Sequence, residues 1–561
     1  KNYFKTMNDI SVMKAVRVKE LFLKKNYEEV IVFIENNFSN IEQTSEILNI
    51  LGVSKLQKKN SSNFDLLSAI ENFRECYLKE KNTNQGIEGL LNFIASSNKA
   101  NQYEDSIRYF KETELTLGYI PKLFLAIVNV YKILNDIESV IYYLKKIMKK
   151  EGMRNEVLQR YIYFNGYLNK WSQKDFFENT IKLEEILPQY NCSKINIQKI
   201  RKIKLAFLSA DIKNEHSIAA FLKTIIKNVN KDKFELILFS NSNKNKEDET
   251  PPDLKIYFDK WINIQNLNDI EAINIIRKNN INIMIDLMGL SSLNRLSLFK
   301  NRLAPIQILW LGYNNTSGLS QMDYLIADPN LIKKNEVKFY SEKILFLPNI
   351  WNCHSGFSTL RKENPAPLIN NNHITFGSFN NTNKISDEVV SVWSDILQSI
   401  NNSRLIIKSS HVYSDEILKE KFEKNKVLNQ IIFLDRKSSF KEHIDEYKKI
   451  DLALDTFPYN GVTTSFEAIW MGVPILTLKG FNPNSRAGES INKNLNMNYL
   501  IADNKDEYVL KAIELSKNFE KVIEIRKNIF DKALESNLFN DKKFSKEFYE
   551  SLEKIYLNHS P

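Results

Sequence analysis

A helical repeat domain followed by two parallel-sheet α/β domains is the architecture this sequence predicts, and three observations predict it. Residues 1–195 place apolar positions at i, i+3, i+4 and i+7 with hardly a strand signal among them. Three segments of that region, beginning at Tyr103, Ile137 and Trp171, align at a constant offset of 34 residues. From Lys204 the period changes to short apolar runs separated by helical stretches, and the same alternation restarts near Ile374.

The helical region comes first. Stretches such as YIPKLFLAIVNVYKILN and IESVIYYLKKIMKK are amphipathic, and each of the three aligned segments follows a polar turn. One helical hairpin per 34 residues is the tetratricopeptide pattern, in which stacked pairs bury a shared core and leave a concave groove. The usual small residues and Pro are absent, so this repeat is a degenerate one.

Six strands are expected next, at 204–210, 234–240, 281–287, 305–312, 324–328 and 342–348. Continuous apolar runs alternating with helices are what a parallel sheet covered on both faces requires. Residues 359–372, polar and Pro-containing, read as a linker. Five further runs, at 374–380, 404–409, 431–435, 452–458 and 473–478, form a second sheet, and the chain ends in a helix. The expected domains are 1–195, 204–358, 374–535 and a closing helix at 540–561.

Composition narrows the function classes. The 561 residues, 43% hydrophobic and 11% aromatic, are enough for several packed cores. Lys and Arg number 78 against 68 Asp and Glu, and this excess is spread along the chain rather than gathered in a tail. It favours an anionic small ligand and does not by itself imply nucleic acid. No run of about 18 apolar residues occurs, so no membrane span or secretory segment is expected. Cys76, Cys192 and Cys353 lie far apart with no Cys or His at metal-ligand spacing, which fits a reducing, cytoplasmic setting without disulfides or zinc.

The most informative segment is Asp455-TFPYNGVTTSFEAIWMGVP, where a strand ends in a Pro/Asn/Gly turn and a helix opens on Thr463, Thr464 and Ser465. Unpaired N–H groups and the positive end of a helix dipole meet there, which suits a diphosphate. Gly461 gives the turn its room, and Glu467 stands one turn on, where it can accept from ribose hydroxyls.

At this point the sequence resembles the tetratricopeptide-linked protein O-GlcNAc transferases, glycosyltransferase family 41. The resemblance runs from Lys204 to about Asn518 through LSADIKNEHS, RLAPIQILWLGYNNTSGL, MDYLIADP, YSEKILFLP, FGSFNNTNKI, LDTFPYNGVTTSFEAIWMGVPILTL and SRAGES, in that order. It implies a GT-B fold of two Rossmann-like domains. It also implies that Lys384 binds the donor diphosphate and stabilises the leaving group, with Asn380 and Asn381 lining the same pocket and His443 contacting the base. His216, past the first strand, takes the family position near donor and acceptor. Tyr313, Thr316 and Ser317 fall in the loop assigned to sugar or acceptor. That loop departs from the family at Asn314 and Asn315, which replace Pro and Gly, and Leu290 follows Gly289 in place of a polar residue.

The expectation is therefore an inverting transfer of N-acetylglucosamine from UDP to Ser or Thr of a protein, the acceptor docking on the helical domain. UDP-glucose or GDP-fucose as donor, and a catalytically dead binding protein, are the rivals. No Asp-X-Asp triplet lies near the motifs, so no metal and no other cofactor is expected. The Asn/Lys/Ile-rich composition resembles that of low-GC bacteria, whose short-repeat relatives act on flagellar or surface proteins.

Overall fold

The structure is a computed structural model that describes residues 2–40, 42–191, 195, 202–213, 216–243, 252–357, 364–408, 412–435, 437 and 439–559. Cys192 and the first part of the expected linker, 359–363, lie outside the described residues. The chain divides into two compact units, Lys1–Gly152 and Met153–Pro561.

The first unit is helical throughout: α1 (Asn2–Leu23), α2 (Tyr27–Asn37), α3 (Ser45–Gln57), α4 (Asn63–Lys79), α5 (Asn84–Lys99), α6 (Glu104–Leu117), α7 (Pro121–Ile133) and α8 (Ile137–Glu151). Local chemistry sets the helix starts. Ser62 and Asp65 form a reciprocal cap on α4, and the Asp136 carboxylate accepts from the Ser139 amide at 2.9 Å to open α8. Val140, Leu144 and Ile147 then line the buried stripe of α8. Close approach uses glycine where the tetratricopeptide pattern has other small residues. A Cβ at Gly52 would stand 2.6 Å from the Phe73 ring, and one at Gly89 the same distance from Cys76 Sγ. Cys76 and Cys353 are both buried and unpaired.

The second unit opens with three more helices, α9 (Asn155–Asn165), α10 (Gln173–Thr180) and α11 (Leu183–Ile186). The helices α6, α8 and α10 begin within two residues of the three positions that the 34-residue offset marks. The helical region expected over 1–195 is thus divided at Gly152, its last helices clustering with the sheets.

Two wholly parallel sheets follow. The first holds β1 (Ile203–Ser209), β2 (Phe234–Ser240), β3 (Lys260–Asn263), β4 (Ile283–Asp286), β5 (Ile306–Leu309), β6 (Tyr324–Ala327) and β7 (Lys343–Phe346), in the order β3-β2-β1-β4-β5-β6-β7. The second holds β8 (Thr375–Ser378), β9 (Arg404–Lys408), β10 (Ile431–Leu434), β11 (Leu452–Leu454), β12 (Ile475–Leu478) and β13 (Ile501–Ala502), in the order β10-β9-β8-β11-β12-β13. Leu205 sits opposite both Leu236 and Ile283, so the centre of the first sheet is a continuous apolar run. Phe376, Leu405 and Leu452 pack with Val389, Trp393 and Ile396 in the second. Each sheet reverses its strand order beside β1 or β8, which opens a crevice at the carboxyl ends.

The sequence reading misses β3 and β13. Both are edge strands, one with the mixed sequence KWIN and the other only two residues long. The last helix, Asp541–His559, returns to the first sheet domain, where Tyr549 Oη donates to the Ile225 carbonyl at 2.9 Å and Phe548 packs on Trp310. No described helix is long and apolar enough to cross a membrane.

Candidate active site

The first sheet contributes one wall of a cleft. His216 caps α12 (Ser217–Ile226), its Nδ1 accepting from the Ile218 amide at 3.3 Å. A backbone N–H can only donate, so Nδ1 carries no proton and the neutral ring presents Nε2–H. Burial lowers the His216 pKa, the Asp211 carboxylate 3.7 Å from Nε2 opposing that fall. At the end of β4, Asp286 accepts from the amides of Met288 and Gly289 at 2.9 and 3.0 Å, and burial raises it to about 6. Gly312 closes this wall. A Cβ there would lie 1.9 Å from the Leu287 carbonyl oxygen, so no side chain fits.

The second sheet contributes the other wall. After β8, Asn380 is buried and its Oδ1 accepts from Thr464 Oγ1 at 3.0 Å, while the exposed Asn381 turns back to accept from the Asn383 amide. Gly461 permits this pairing, because a Cβ would stand 2.6 Å from Thr464 Oγ1 and 2.8 Å from Asn380 Oδ1. The helix Thr463–Trp470 begins without a side-chain cap. Lys384 is half-buried, donates from Nζ to the Asn460 carbonyl at 2.8 Å, and lies 4.4 Å from the centroid of the Tyr459 ring. Desolvation pushes its pKa below the usual lysine range, opposed by the Asp455 carboxylate. Asp455 is itself raised by burial and accepts from the Gly461 amide at 2.7 Å and Thr477 Oγ1 at 2.8 Å.

Both walls meet in a cavity of about 280 Å³ lined by the N-terminal residues Ser217 and Ile218 of one helix and Thr463 and Thr464 of the other. Gly312, Asn314, Asn380, Asn381, Lys384 and Tyr459 are among its other lining residues. Two helix N-termini and one ammonium thus face the same space, an arrangement built for anionic oxygen. A larger cavity of about 480 Å³ adjoins it at Ser217 and Thr463 and reaches His216, Phe440 and Glu467.

His443 belongs to a polar chain beside that second cavity. Lys408 Nζ stands 2.7 Å from Nδ1, and Nε2 stands 2.9 Å from Glu467 Oε2. A charged lysine can only donate, so Nδ1 accepts and Nε2–H is given to Glu467. Tyr447 Oη donates to the same Glu467 oxygen at 2.9 Å. Glu467, expected to accept from ribose hydroxyls, therefore already accepts from two protein donors through Oε2.

None of the three expected loop residues lines either cavity. Thr316 and Ser317 are fully buried, with Thr316 Oγ1 donating to Glu342 at 2.8 Å and the Ser317 amide at 2.7 Å. They anchor the loop instead. Tyr313 is buried against Gly289 and stacks on Tyr163 at 6.4 Å. The substituted Asn314 faces the cavity, while Asn315 accepts from Gln173 Nε2 at 2.8 Å.

Tyr459, Lys408 and Tyr447 were not singled out from sequence. Lys408 ends β9, at the carboxyl end where crevice residues are expected, and Tyr459 sits inside the FPYNG turn, so both carried a positional signal. Among the described residues, no group of three or more His, Cys, Asp and Glu side chains is placed to hold a metal ion.

Comparison with known proteins bears on the fold and the family. A solved structure of a mutant O-GlcNAc transferase from Thermobaculum terrenum superposes with a TM-score of 0.78 at 21% identity, over 93% of this chain and 99% of that one. It supports the fold. The tomato protein named "Probable UDP-N-acetylglucosamine--peptide N-acetylglucosaminyltransferase SPINDLY" is 30% identical over 391 residues, 66% of this chain and 40% of its own length. The Arabidopsis thaliana protein of the same description named SEC is 25% identical over 374 residues, 64% of this chain and 38% of its own. This chain thus spans less than half the length of these curated relatives. Residues 180–362 and 357–548 match the family described as Glycosyl transferase family 41, which includes every wall of the cleft, and the chain belongs to that family.

Proposed function

We propose that this chain transfers N-acetylglucosamine from UDP-GlcNAc to a Ser or Thr hydroxyl of a protein, inverting the anomeric carbon and needing no metal ion. The observation that carries the reading is that Lys384 and the first residues of two helices line one cavity. Cleaving the sugar–phosphate bond leaves about one more negative charge on the diphosphate, and a preorganised cation with aligned amides stabilises that charge as it forms. The acceptor oxygen attacks the anomeric carbon as the bond to phosphate breaks, and its proton passes to the departing diphosphate or to solvent. His216, holding Nε2–H, acts in this scheme as a donor to substrate oxygen rather than as the base.

The base pocket is the larger cavity, lined by Phe440 and by Glu467, to which His443 is hydrogen-bonded. The names of the relatives support UDP-GlcNAc as donor; in this reading the acceptor polypeptide docks on the helical region. The test is to incubate candidate acceptor proteins with UDP-GlcNAc, UDP-glucose or GDP-fucose, with and without excess EDTA, and read intact mass. A HexNAc increment that survives EDTA, with a β-linkage by NMR, is expected. A hexose or deoxyhexose increment would overturn the donor, and rescue by Mn²⁺ or an α-linkage would overturn the mechanism.

A further inference from the structure

Lys384 is held by a loop, and that loop is held by a helix far from it in sequence. The Lys384 ammonium rests 4.4 Å from the Tyr459 ring centroid, within cation–π range, and on the neighbouring Asn460 carbonyl. The Tyr459 ring is in turn stacked on Tyr167, with centroids 5.1 Å apart and planes at 24°. Tyr167 is 7% exposed and lies just after α9. One turn back on α9, Tyr163 stacks on Tyr313 of the other wall, and the two hydroxyls, Tyr163 and Tyr167, are 3.4 Å apart. Two tyrosines of one helical segment therefore grip both walls of the cleft.

We infer that Tyr167 is a positioning residue for the transfer reaction, fixing the Lys384 ammonium through Tyr459, so that α9 belongs to the catalytic apparatus as well as to the helical region. This rests on the role assigned above to Lys384. Tyr167 is not among the residues that line either cavity, whereas Tyr459 lines the smaller one. A flexible four-carbon stem costs entropy to hold in one place, and an aromatic wall that is itself immobilised reduces the loss that remains at the transition state.

The test uses the full chain with Tyr167→Ala, Tyr167→Leu, Tyr167→Phe and Lys384→Ala. Steady-state hydrolysis is measured with whichever of UDP-GlcNAc, UDP-glucose and GDP-fucose the wild type turns over, and UDP affinity by calorimetry. Tyr167→Ala should lower kcat about 10-fold with KM and UDP affinity within about 3-fold, while Tyr167→Phe, which keeps the stacking ring, stays near wild type. Tyr167→Leu fills the space without a π face and should match Ala, which separates the effect from a failure to fold. The alkaline limb of kcat is the second readout. Lys384 must be protonated, so activity falls as pH rises through its pKa, and water admitted beside it raises that pKa and moves the limb to higher pH. Wild-type kcat and an unmoved limb in Tyr167→Ala and Tyr167→Leu, with Lys384→Ala inactive, would overturn this inference alone. An active Lys384→Ala would overturn it together with the reading it rests on.

Discussion

A lysine withdrawn from water holds its charge less firmly, and at Lys384 the Asn460 carbonyl, the Tyr459 ring and the Asp455 field offset the desolvation only in part. Because the charge acts chiefly on the leaving group, Lys384→Ala should lower turnover at least about 100-fold while UDP affinity changes much less. The wild-type rate should fall on the alkaline side at a pH below the usual lysine range, since the site lowers this pKa and the protonated form is the active one. A rate flat through that region would contradict the assignment. Gly461 offers an independent check. Its Cβ would intrude on the Asn380–Thr464 hydrogen bond, so Gly461→Ala should raise donor KM several-fold or more without lowering the melting temperature of the free protein by more than a few degrees. Unchanged donor binding would show that this bond does not shape the cavity.

The helices α9 to α11 are attached to the sheet domains by both packing and polar contacts. Phe176, Leu183 and Leu187 are buried, the Tyr190 amide donates to Asn301 Oδ1 at 2.6 Å, and Lys300 Nζ donates to the Leu187 carbonyl at 2.7 Å. Each fully buried large apolar side chain contributes about 1.5–3 kcal/mol, so removing this layer is costly. A chain beginning at Met153 should therefore fold and hydrolyse donor at close to the full-length rate. One beginning at Asn196 should melt well below it or aggregate. Thermal unfolding and size-exclusion profiles of the two compare them directly, and equal stability would show that the helical layer is dispensable to the sheets. The 34-residue period alone gives no reason to cut at Met153, because α8 and α10 satisfy it equally.

Between the two sheet domains, fixed charges and buried hydrogen bonds set the arrangement that closes the cleft. Arg486 is 7% exposed and forms a two-pronged pair with Glu336, at 2.5 and 2.8 Å. Lys333 reaches Glu489 at 3.1 Å, and Ser490 Oγ donates to Asp328 at 2.7 Å. Asp328 also accepts three backbone amides; burial raises it to about 6 against the pull of these donors. Glu336 is only partly buried and still accepts from the Lys333 amide, so breaking the pair costs less than the about 3–5 kcal/mol of a fully buried one. Arg486→Ala should thus lower the melting temperature by several degrees and reduce kcat, although no atom of Arg486 lines the donor cavity. Circular dichroism melting with donor hydrolysis on the same sample checks both, and a variant unaffected in either would show that the pair does not hold the domains.

Read from the sequence alone, the helical period places the helical region, the apolar runs place 11 of the 13 described strands, and the strand-to-helix turn at 455–464 marks the candidate anion site. These features follow rules that act over a few residues: side-chain periodicity, capping and turn chemistry. Short edge strands escape because so few residues carry the pattern. What the chain does with Tyr167, Thr316 and Glu467 is settled only by contacts across long separations. Tyr167 meets Tyr459, Thr316 turns to Glu342, and Glu467 is claimed by His443 and Tyr447. A hydroxyl or carboxylate in a motif can bond to protein or to ligand with similar energy, and the choice depends on which donor the fold brings within about 3 Å, a distance that exists only in the folded chain.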